Sequence, residues 1–350
     1  MKRTRAPFAL FFVLNAGCAE GVPLSDGTAD AAFGLDSKAD AKPPGLISYL
    51  VGNPADAPVA PGGPGLILMG GGPDVDEAFT WWRPKLNGGD VVVLRTSGAD
   101  GYNDYLYHDI GGCDSVETLL VTSPALANTN YVAARLNQAE GIFLAGGDQA
   151  TYLAAWRGTR VERALQDAWA RGAVVGGTSA GCAVLGEFVY SAENGTVFSS
   201  EALADPFDFR VTLEPDFLRY PPLRNVLTDT HFKQRNRMGR LAAFAARLHE
   251  DGTAAVVRSL GVDERTALLV DADGFATVAG QNHVYVLDAA ESPATCEPGV
   301  PLSFTGLSLA ALGAGDTVRL PAGPTSVAAT PLDVLAGQLH PANPYASAAP

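Results

Sequence analysis

The sequence predicts an α/β fold, with a mostly parallel β-sheet that is covered by helices on both faces. Four short apolar runs end in turns rich in small residues, and helical stretches separate these runs. The runs do not alternate between apolar and polar residues, so we expect both faces of the sheet to be buried. The chain has 350 residues, 47% of them hydrophobic, and is long enough for such a core.

The predicted parallel strands are the four apolar runs. They occupy residues 66–69, 91–94, 142–145 and 173–175. Residues 161–169 are typical of the helices between them, because their apolar side chains recur at helical spacing. Alternating strands and helices favour right-handed crossovers and a parallel sheet. Ligands bind beyond the carboxyl ends of the strands in such sheets, and the glycine-rich turns lie there.

The C-terminal part of the chain changes character. Three β-strands are expected as a meander, at residues 266–270, 276–278 and 284–287. Residues after Pro321 are rich in alanine and proline. We therefore expect one folded domain over residues 46–320 and a loose C-terminal tail over residues 321–350.

The N-terminus is typical of an export signal. Three basic residues precede an apolar segment at residues 6–14. The sequence from Leu14 to Cys18 resembles a bacterial lipoprotein cleavage box, although Asn15 stands where that pattern has an aliphatic residue. Residues 1–18 are thus predicted to be a signal, and residues 19–45 a flexible linker of small and polar residues. We expect an exported protein that is either anchored to a membrane through a lipidated Cys18 or simply secreted.

Charge and cysteine content exclude several classes of function. The net charge of −14 argues against a nucleic-acid partner, which would favour a basic surface. No apolar run is long enough to span a bilayer as a mature helix. The cysteines match neither a zinc pattern nor a redox pair. In an exported protein Cys113 could pair with Cys296, which would leave Cys182 buried.

One serine stands in a pattern that suits a nucleophile. Ser179 lies in the frame Gly177-Thr178-Ser179-Ala180-Gly181, directly after the strand at residues 173–175. A sharp strand-to-helix turn lifts a serine hydroxyl clear of a sheet, and small neighbours are needed because the backbone there is crowded. A serine becomes reactive when a base takes its proton and a third group orients that base. The alternative is a chance occurrence of G-x-S-x-G in a chain with 39 glycines.

Two further segments could supply the base and the orienting acid. His231 begins a stretch that holds four basic residues, and the alternative for this stretch is a solvated helix face. Asp263 and Glu264 directly precede a predicted strand, where adjacent side chains face opposite ways. At most one of the two acids should therefore face the imidazole, and the alternative is a surface loop. His249 is predicted to be a capping or surface group, and His283, at the start of a strand, to be structural.

Five segments together resemble the serine peptidase family that contains cyanophycinase and the aspartyl dipeptidases. They are LMGGGPD (68–74), FLAGGDQ (143–149), GGTSAGC (176–182), DTHFKQRNRMGRL (229–241) and GVDERTA (261–267). The spacing DxHFxxRxRxxRL favours the cyanophycinase branch. The resemblance implies a fold like that of class I glutamine amidotransferases, which is flavodoxin-like, and it makes residues 46–320 a catalytic domain.

By matching position, the resemblance implies roles for individual residues. Ser179 matches the nucleophile, His231 the general base and Glu264 the orienting acid. The positions that line the family's substrate groove are matched by Gln149, Asp229, Arg235, Arg237 and Arg240. Two residues depart from the family pattern: Thr230 replaces a frequent glutamine, and Cys182 a frequent small residue. A cysteine nucleophile at 182 is disfavoured because that position lies past the turn, within the helix.

The implied reaction is hydrolysis through an acyl-enzyme at Ser179, without a metal or another cofactor. Its oxyanion would be stabilised by the backbone amides of Gly71, Gly72 and Ala180. The implied substrate is cyanophycin, a polyaspartate with arginine on each side-chain carboxyl, and the products are β-Asp-Arg dipeptides. Arginines would bind the polymer's carboxylates, and acids such as Asp229 its guanidinium groups.

Three other functions stay open at the level of sequence. The first is a serine peptidase or esterase of the same fold that acts on other Asp-containing or isoaspartyl peptides. The second is a non-catalytic, lipid-tethered protein that binds acidic peptides. The third, an amidotransferase, is disfavoured because the chain has no synthase domain and no cysteine at the turn. The sequence is also compatible with a homodimer.

Overall fold

In the computed structural model of the protein, residues 41–346 are described, and they form two β-sheets with helices packed against them. The predicted export signal, the lipidation box at Cys18 and most of the predicted linker lie outside these residues. The first sheet has nine strands and the second has eight.

The strands of the described residues are numbered in chain order. They are β1 (Ile47–Gly52), β2 (Gly65–Met69), β3 (Asp90–Arg95), β4 (Ser115–Leu120), β5 (Gly141–Leu144), β6 (Val174–Thr178), β7 (Phe188–Tyr190), β8 (Leu213–Pro215), β9 (Val226–Asp229), β10 (Val257–Val262), β11 (Thr266–Asp271), β12 (Phe275–Gly280), β13 (Val284–Ala289), β14 (Phe304–Leu312), β15 (Thr317–Arg319), β16 (Thr330–Leu335) and β17 (Gln338–His340).

The α-helices of the same residues are also numbered in chain order. They are α1 (Asp76–Leu86), α2 (Pro124–Ala127), α3 (Asn130–Gln138), α4 (Gln149–Trp156), α5 (Arg160–Ala170), α6 (Ala180–Ala183), α7 (Ser199–Ala204) and α8 (Met238–Glu250). A π-helix at Tyr105–Ile110 and a 3₁₀-helix at Pro221–Leu223 complete the helical elements. None of the helices in residues 41–346 has the length and apolar character that crossing a membrane requires.

The first sheet contains the predicted parallel core. Its order is β1-β4-β3-β5-β6-β2-β11-β12-β15, and the five strands from β4 to β2 are parallel to one another. Four of these strands, β2, β3, β5 and β6, coincide with the four predicted apolar runs, except that residues 145 and 173 fall just outside β5 and β6. Antiparallel strands flank the core on both sides, with β1 on β4 and β11 on β2. The expectation of a mostly parallel sheet in an α/β fold is confirmed.

Both faces of the first sheet are buried, as the unbroken apolar runs predict. On one face, α1 and the π-helix pack over alternate strand residues such as Ile67 and Val93. The intervening residues, such as Leu68 and Val92, pack against α3, α4 and α5. Helix α5 begins where Thr159 accepts a hydrogen bond from the amide of Val161, and it buries the apolar side chains of the predicted helical pattern.

The second sheet has the order β17-β16-β14-β13-β10-β9-β7-β8. Strands β9 and β10 are parallel neighbours in its middle. Residues on one face of this sheet, such as Leu260 and Val286, belong to the same hydrophobic core as the buried residues of α3, α4 and α5. Helices α7 and α8 pack on its other face.

The C-terminal part differs from the expectation in two ways. The three strands predicted as one meander do not stay together: β11 and β12 pair in the first sheet, while β13 pairs with β10 and β14 in the second. The predicted loose tail also contains ordered structure, because β16 pairs with β14 and β17 pairs with β16. Alternating buried residues such as Leu332 and Val334 anchor β16, a signal that the high alanine and proline content obscures.

The cysteines of the described residues are all free thiols. Cys113 packs among the residues under α1, whereas Cys296 belongs to the core under α7 and α8. The expected Cys113–Cys296 disulfide is therefore not formed, since the two side chains pack in different cores, one against each sheet. Cys182 is fully buried, and burial raises the pKa of its thiol.

Candidate active site

Ser179 sits on the tight turn that its small neighbours predict. Strand β6 ends at Thr178, and Ser179 adopts φ 53° and ψ −118° before α6 begins at Ala180. A Cβ atom at Gly177 would lie 2.5 Å from the backbone of Gly181, and one at Gly181 would lie 2.0 Å from the carbonyl oxygen of Leu144. Only glycine fits at these two positions, and a non-glycine residue with positive φ is typical of strained functional turns.

The hydroxyl of Ser179 contacts His231, and His231 contacts Glu264. The Ser179 Oγ atom lies 2.7 Å from His231 Nε2, and His231 Nδ1 lies 2.7 Å from Glu264 Oε1. A carboxylate only accepts hydrogen bonds, so Nδ1 carries the proton and Nε2 is free to accept one from the serine. The structure thus brings together the three residues that the sequence assigns to nucleophile, base and orienting acid.

Three segments far apart in sequence meet on one glycine-rich turn. The carbonyl oxygens of Met69, Gly70 and Gly71, at the end of β2 and just after it, each accept a hydrogen bond from a backbone amide of a different segment. These amides belong to Ser179 at 3.1 Å, His231 at 2.8 Å and Arg265 at 3.0 Å, next to Glu264. The turn after β2 therefore sets the relative positions of all three side chains.

The surroundings of the His231 imidazole favour its neutral form. Burial lowers its pKa below the ordinary value, and the positive charges of Arg235 and Arg237 lower it further, while the hydrogen bond that His231 donates to Glu264 opposes these effects. A neutral imidazole is the form that can accept a proton from a serine hydroxyl.

The two adjacent acids face opposite ways, as expected. Glu264 reaches His231, whereas Asp263 is fully buried and accepts hydrogen bonds from the backbone amides of Lys233 and His283. Burial raises the pKa of Asp263. Asp263 thereby ties the turn that follows His231 to the end of β10.

A cleft with a volume of about 280 Å³ opens at Ser179. Its walls include Gln149, Arg235 and Arg237 among the residues that the sequence assigns to substrate binding. The side chain of Asp148 accepts a hydrogen bond from the amide of Ala150 at the start of α4, and Asp148 lines the same cleft. The cleft thus has a cationic side and one carboxylate.

Two of the expected groove residues do not reach the cleft. Asp229 and Arg240 are buried, with 3% and 2% of their surface exposed, and the Arg240 guanidinium donates two hydrogen bonds to the Asp229 carboxylate. Burial alone would raise the pKa of Asp229, but Arg240 and Arg237 outweigh it and the pKa falls below its ordinary value. The expectation that Asp229 and Arg240 contact substrate is wrong, because they neutralise one another inside the protein.

Arg237 connects this buried pair to the cleft. Its Nη1 atom donates to the Asp229 carboxylate at 3.2 Å and to the carbonyl of Thr230 at 2.7 Å. Burial lowers the pKa of Arg237 to about 10, with Asp229 opposing the change, so it is cationic at neutral pH. Asp229 therefore holds the guanidinium that the cleft presents.

The glycines expected to form the oxyanion hole take a different position. Gly71 packs against the His231 ring and Gly72 against the Glu264 side chain, and neither lines the cleft. Ala180 and Gly147 do line it. Within residues 41–346 the Ala180 amide has no hydrogen-bond partner, so it is available to a ligand.

Sequence reasoning missed two residues that hold Glu264. The amide of Glu264 donates to the side chain of Gln234 at 3.0 Å, and its carbonyl accepts from the side chain of Asn282 at 2.8 Å. Gln234 lies in the segment already singled out around His231, three residues from the base. No sequence pattern marks Asn282, because its position beside Glu264 is set by the pairing of β11 with β12.

Comparisons of the sequence with known proteins indicate one family. The sequence model described as peptidase family S51 matches residues 103–278. The cyanophycinase of Synechococcus elongatus is 31% identical over 271 residues, which cover 73% of this chain and 79% of that protein. The cyanophycinase of Trichormus variabilis is 31% identical over 214 residues, which cover 60% of this chain and 66% of that protein. The crystal structure of a peptidase from an acI-B1 actinobacterium superposes with a TM-score of 0.49 at 18% identity, over 74% of this chain and 97% of the other.

Proposed function

The chain belongs to peptidase family S51 and is a serine-type peptidase, and from this premise we propose that it hydrolyses a cyanophycin-like polymer to β-Asp-Arg dipeptides. The single observation that carries the proposal is the chain of contacts from Ser179 through His231 to Glu264, of which Ser179 and His231 line a cleft with two arginines.

The proposed reaction proceeds through an acyl-enzyme. Ser179 Oγ attacks a peptide carbonyl carbon while His231 Nε2 accepts the hydroxyl proton. His231 then gives this proton to the leaving amine as the C–N bond breaks. A water molecule attacks the resulting ester with His231 as base, and the acid product and free serine are released. Glu264 stabilises the transient imidazolium and keeps the ring in the productive tautomer.

The negative charge on the attacked carbonyl oxygen needs backbone donors near Ser179. We assign this role to the Ala180 amide, which lacks a partner within residues 41–346, together with the neighbouring segment at Gly147. Removing one such donor typically lowers kcat about 10²- to 10³-fold. This assignment replaces the Gly71–Gly72 turn, whose glycines contact His231 and Glu264 instead.

The charges of the cleft suit a substrate with both carboxylates and guanidinium groups. Arg235 and Arg237 can bind carboxylates with planar, bidentate geometry. Asp148 supplies a negative charge for a guanidinium, the role that the sequence assigned to Asp229. A polymer of aspartate with an isopeptide-linked arginine on each unit carries both kinds of group.

The substrate test compares polymer and short peptides. Purified protein is incubated with insoluble cyanophycin, and soluble products are identified by mass spectrometry. We expect β-Asp-Arg from the wild type and none from Ser179→Ala. Arg235→Gln should raise KM, whereas Arg224→Gln, at an exposed position that does not line the cleft, should not. If the polymer stays intact while other isoaspartyl peptides are cleaved, the substrate assignment is wrong but the hydrolase assignment stands.

We also propose that the protein is exported and tethered through a lipidated Cys18. The support is the basic, then apolar N-terminal sequence that ends at Cys18. Metabolic labelling with a fatty-acid analogue should mark the wild-type protein and not the Cys18→Ala variant. Release of unlabelled protein into the medium would favour simple secretion.

A further inference from the structure

A second cavity, larger than the catalytic cleft, lies beside it. Its volume is about 360 Å³. It is lined by Ser199, Ser200 and Leu203 of α7, by Asn236, and by Gln338 and Leu339 of the C-terminal hairpin β16–β17. The hairpin lies beyond residues 103–278, which the family model matches, so this wall is built by a separate part of the chain.

The two cavities share a dividing wall, which consists of residues 196–199 and 235–237. Thr196 lines the catalytic cleft, and Ser199 lines the second cavity. Arg235 and Arg237 face the cleft, whereas Asn236 between them faces the second cavity and has a positive φ of 49°. The hydroxyl of Ser199 donates to the carbonyl of Asn236 at 2.5 Å, which joins the two segments of the wall.

Phe198 stands on this dividing wall with 62% of its surface exposed. Its amide donates to the Glu201 carboxylate, which fixes its backbone at the start of α7. Phe198 directly precedes Ser199, which lines the second cavity, and an exposed aromatic ring next to such a residue is available for a ligand contact. Nearby, the chain already places the Arg210 guanidinium over the ring of Phe209, 5.4 Å from its centroid. A phenyl ring in this setting can therefore accept a guanidinium.

The lining of the second cavity is neutral. No charged residue of the described chain lines it, and its polar groups are hydroxyls and side-chain amides. The amide oxygens of Asn236 and Gln338 can accept from a guanidinium, which has five donors and no acceptor. The cationic side of the catalytic cleft, by contrast, repels a guanidinium and attracts the carboxylates of the same substrate.

We propose that the second cavity binds the arginyl side chain of a polymer unit that lies beyond the two units flanking the bond cleaved at Ser179. The substrate crosses the dividing wall, its guanidinium lies over Phe198, and the amide oxygens of Asn236 and Gln338 accept its hydrogen bonds. This inference rests on the proposed function, because it takes the substrate to be an arginine-bearing aspartyl polymer. It predicts that longer oligomers bind more tightly than a single pair of dipeptide units.

Binding to an inactive enzyme tests the inference without relying on turnover. In the full chain carrying Ser179→Ala, dissociation constants are measured for β-Asp-Arg oligomers of two and six units. Adding Phe198→Ala, or Ala204→Trp to fill the cavity, should weaken binding of the six-unit oligomer about tenfold. Binding of the two-unit oligomer should change less than about twofold. Phe198→Tyr, which keeps the ring, should restore tight binding.

A matched control is Ala55→Trp, another exposed alanine. It lies two residues before Ala57, whose amide donates to Asp90 at the start of β3, at the end of the strands opposite Ser179, and should alter neither affinity. If Phe198→Ala and Ala204→Trp leave both affinities unchanged, the second cavity is not a substrate site although the proposed function stands. If the Ser179→Ala protein binds neither oligomer, the proposed substrate is wrong and the inference falls with it.

Discussion

The carbonyl oxygen of Gly70 accepts a hydrogen bond from the amide of His231 over 2.8 Å. This contact connects the end of β2 in the first sheet to the end of β9 in the second. The carbonyl oxygens of Met69 and Gly71 likewise accept hydrogen bonds, from the amides of Ser179 and of Arg265, the residue after Glu264. The glycine-rich turn after β2 is therefore the common support of the three proposed catalytic side chains.

Gly71→Ala should inactivate the enzyme by displacing the imidazole. The new Cβ atom would lie 2.5 Å from Cε1 of His231, closer than real contacts allow. We expect kcat to fall by at least about 10²-fold, since general-base catalysis contributes 10²- to 10⁴-fold. Steady-state kinetics measures the loss.

The matched control for this prediction is Gly88→Ala. Gly88 also has a positive φ, of 76° against 96° at Gly71, but a Cβ atom there would meet nothing within 4 Å. Both variants should lose similar stability from backbone strain, and only Gly71→Ala should lose activity. Equal kcat values in the two variants would show that the turn does not position His231.

Glu264→Gln should lower kcat without unfolding the protein. The carboxylate is part-exposed, and among residues 41–346 its one side-chain hydrogen bond is to His231 Nδ1, so its removal leaves the core intact. Loss of the orienting charge should reduce kcat about 10²- to 10⁴-fold, with KM little changed. Asp263→Asn is a poor substitute for this test, because Asp263 holds the backbone after His231. A kcat near the wild-type value in Glu264→Gln would remove Glu264 from the mechanism.

In the pH–rate profile, the midpoint of the acid limb should lie below the ordinary pKa of a histidine. The reaction needs neutral His231, whose pKa burial and nearby arginines lower, so activity persists below the ordinary histidine pKa of about 6.5. Removing the Arg235 charge takes away one of the lowering influences. In Arg235→Gln the midpoint of kcat/KM should therefore move to higher pH, whereas Arg224→Gln should leave it in place. A shift of the Arg235→Gln midpoint towards lower pH would contradict this assignment.

Asp229→Asn should destabilise the fold, because it leaves the buried Arg240 and the part-buried Arg237 without their counter-charge. Breaking a buried ion pair from one side typically costs about 3–5 kcal/mol of unfolding free energy, which urea titration at pH 7 can measure. Since the pKa of Asp229 is depressed, its stabilisation is present above the unfolded pKa and is lost as pH falls through the folded value. The exposed pair partner Asp273 provides the control, and Asp273→Asn should barely shift the urea midpoint. Equal shifts in the two variants would contradict the assigned role.

Local patterns in the sequence predicted the parallel core and the turn at Ser179. Apolar runs of three or four residues give buried parallel strands, and the glycines at 177 and 181 are required where the turn packs on itself and on Leu144 of β5. The choice between Asp263 and Glu264 was also limited by local geometry, since adjacent residues point opposite ways.

Features that depend on pairing between distant segments could not be predicted in this way. The burial of Asp229 and Arg240 follows from the packing of α8 against the second sheet, and the motif they belong to favours a surface role equally well. The move of β13 to the second sheet and the ordered hairpin β16–β17 likewise depend on long-range strand pairing. The support given by the turn after β2 is made by backbone carbonyls, which side-chain patterns do not reveal.

The most direct test of the central claim, that His231 activates the hydroxyl of Ser179, is covalent labelling with a serine-directed phosphonate followed by peptide mass spectrometry. We expect one adduct, on Ser179, whose rate of formation falls by about 10²-fold or more in His231→Ala. Labelling of another serine, or an unchanged rate of labelling at Ser179 in His231→Ala, would contradict the account.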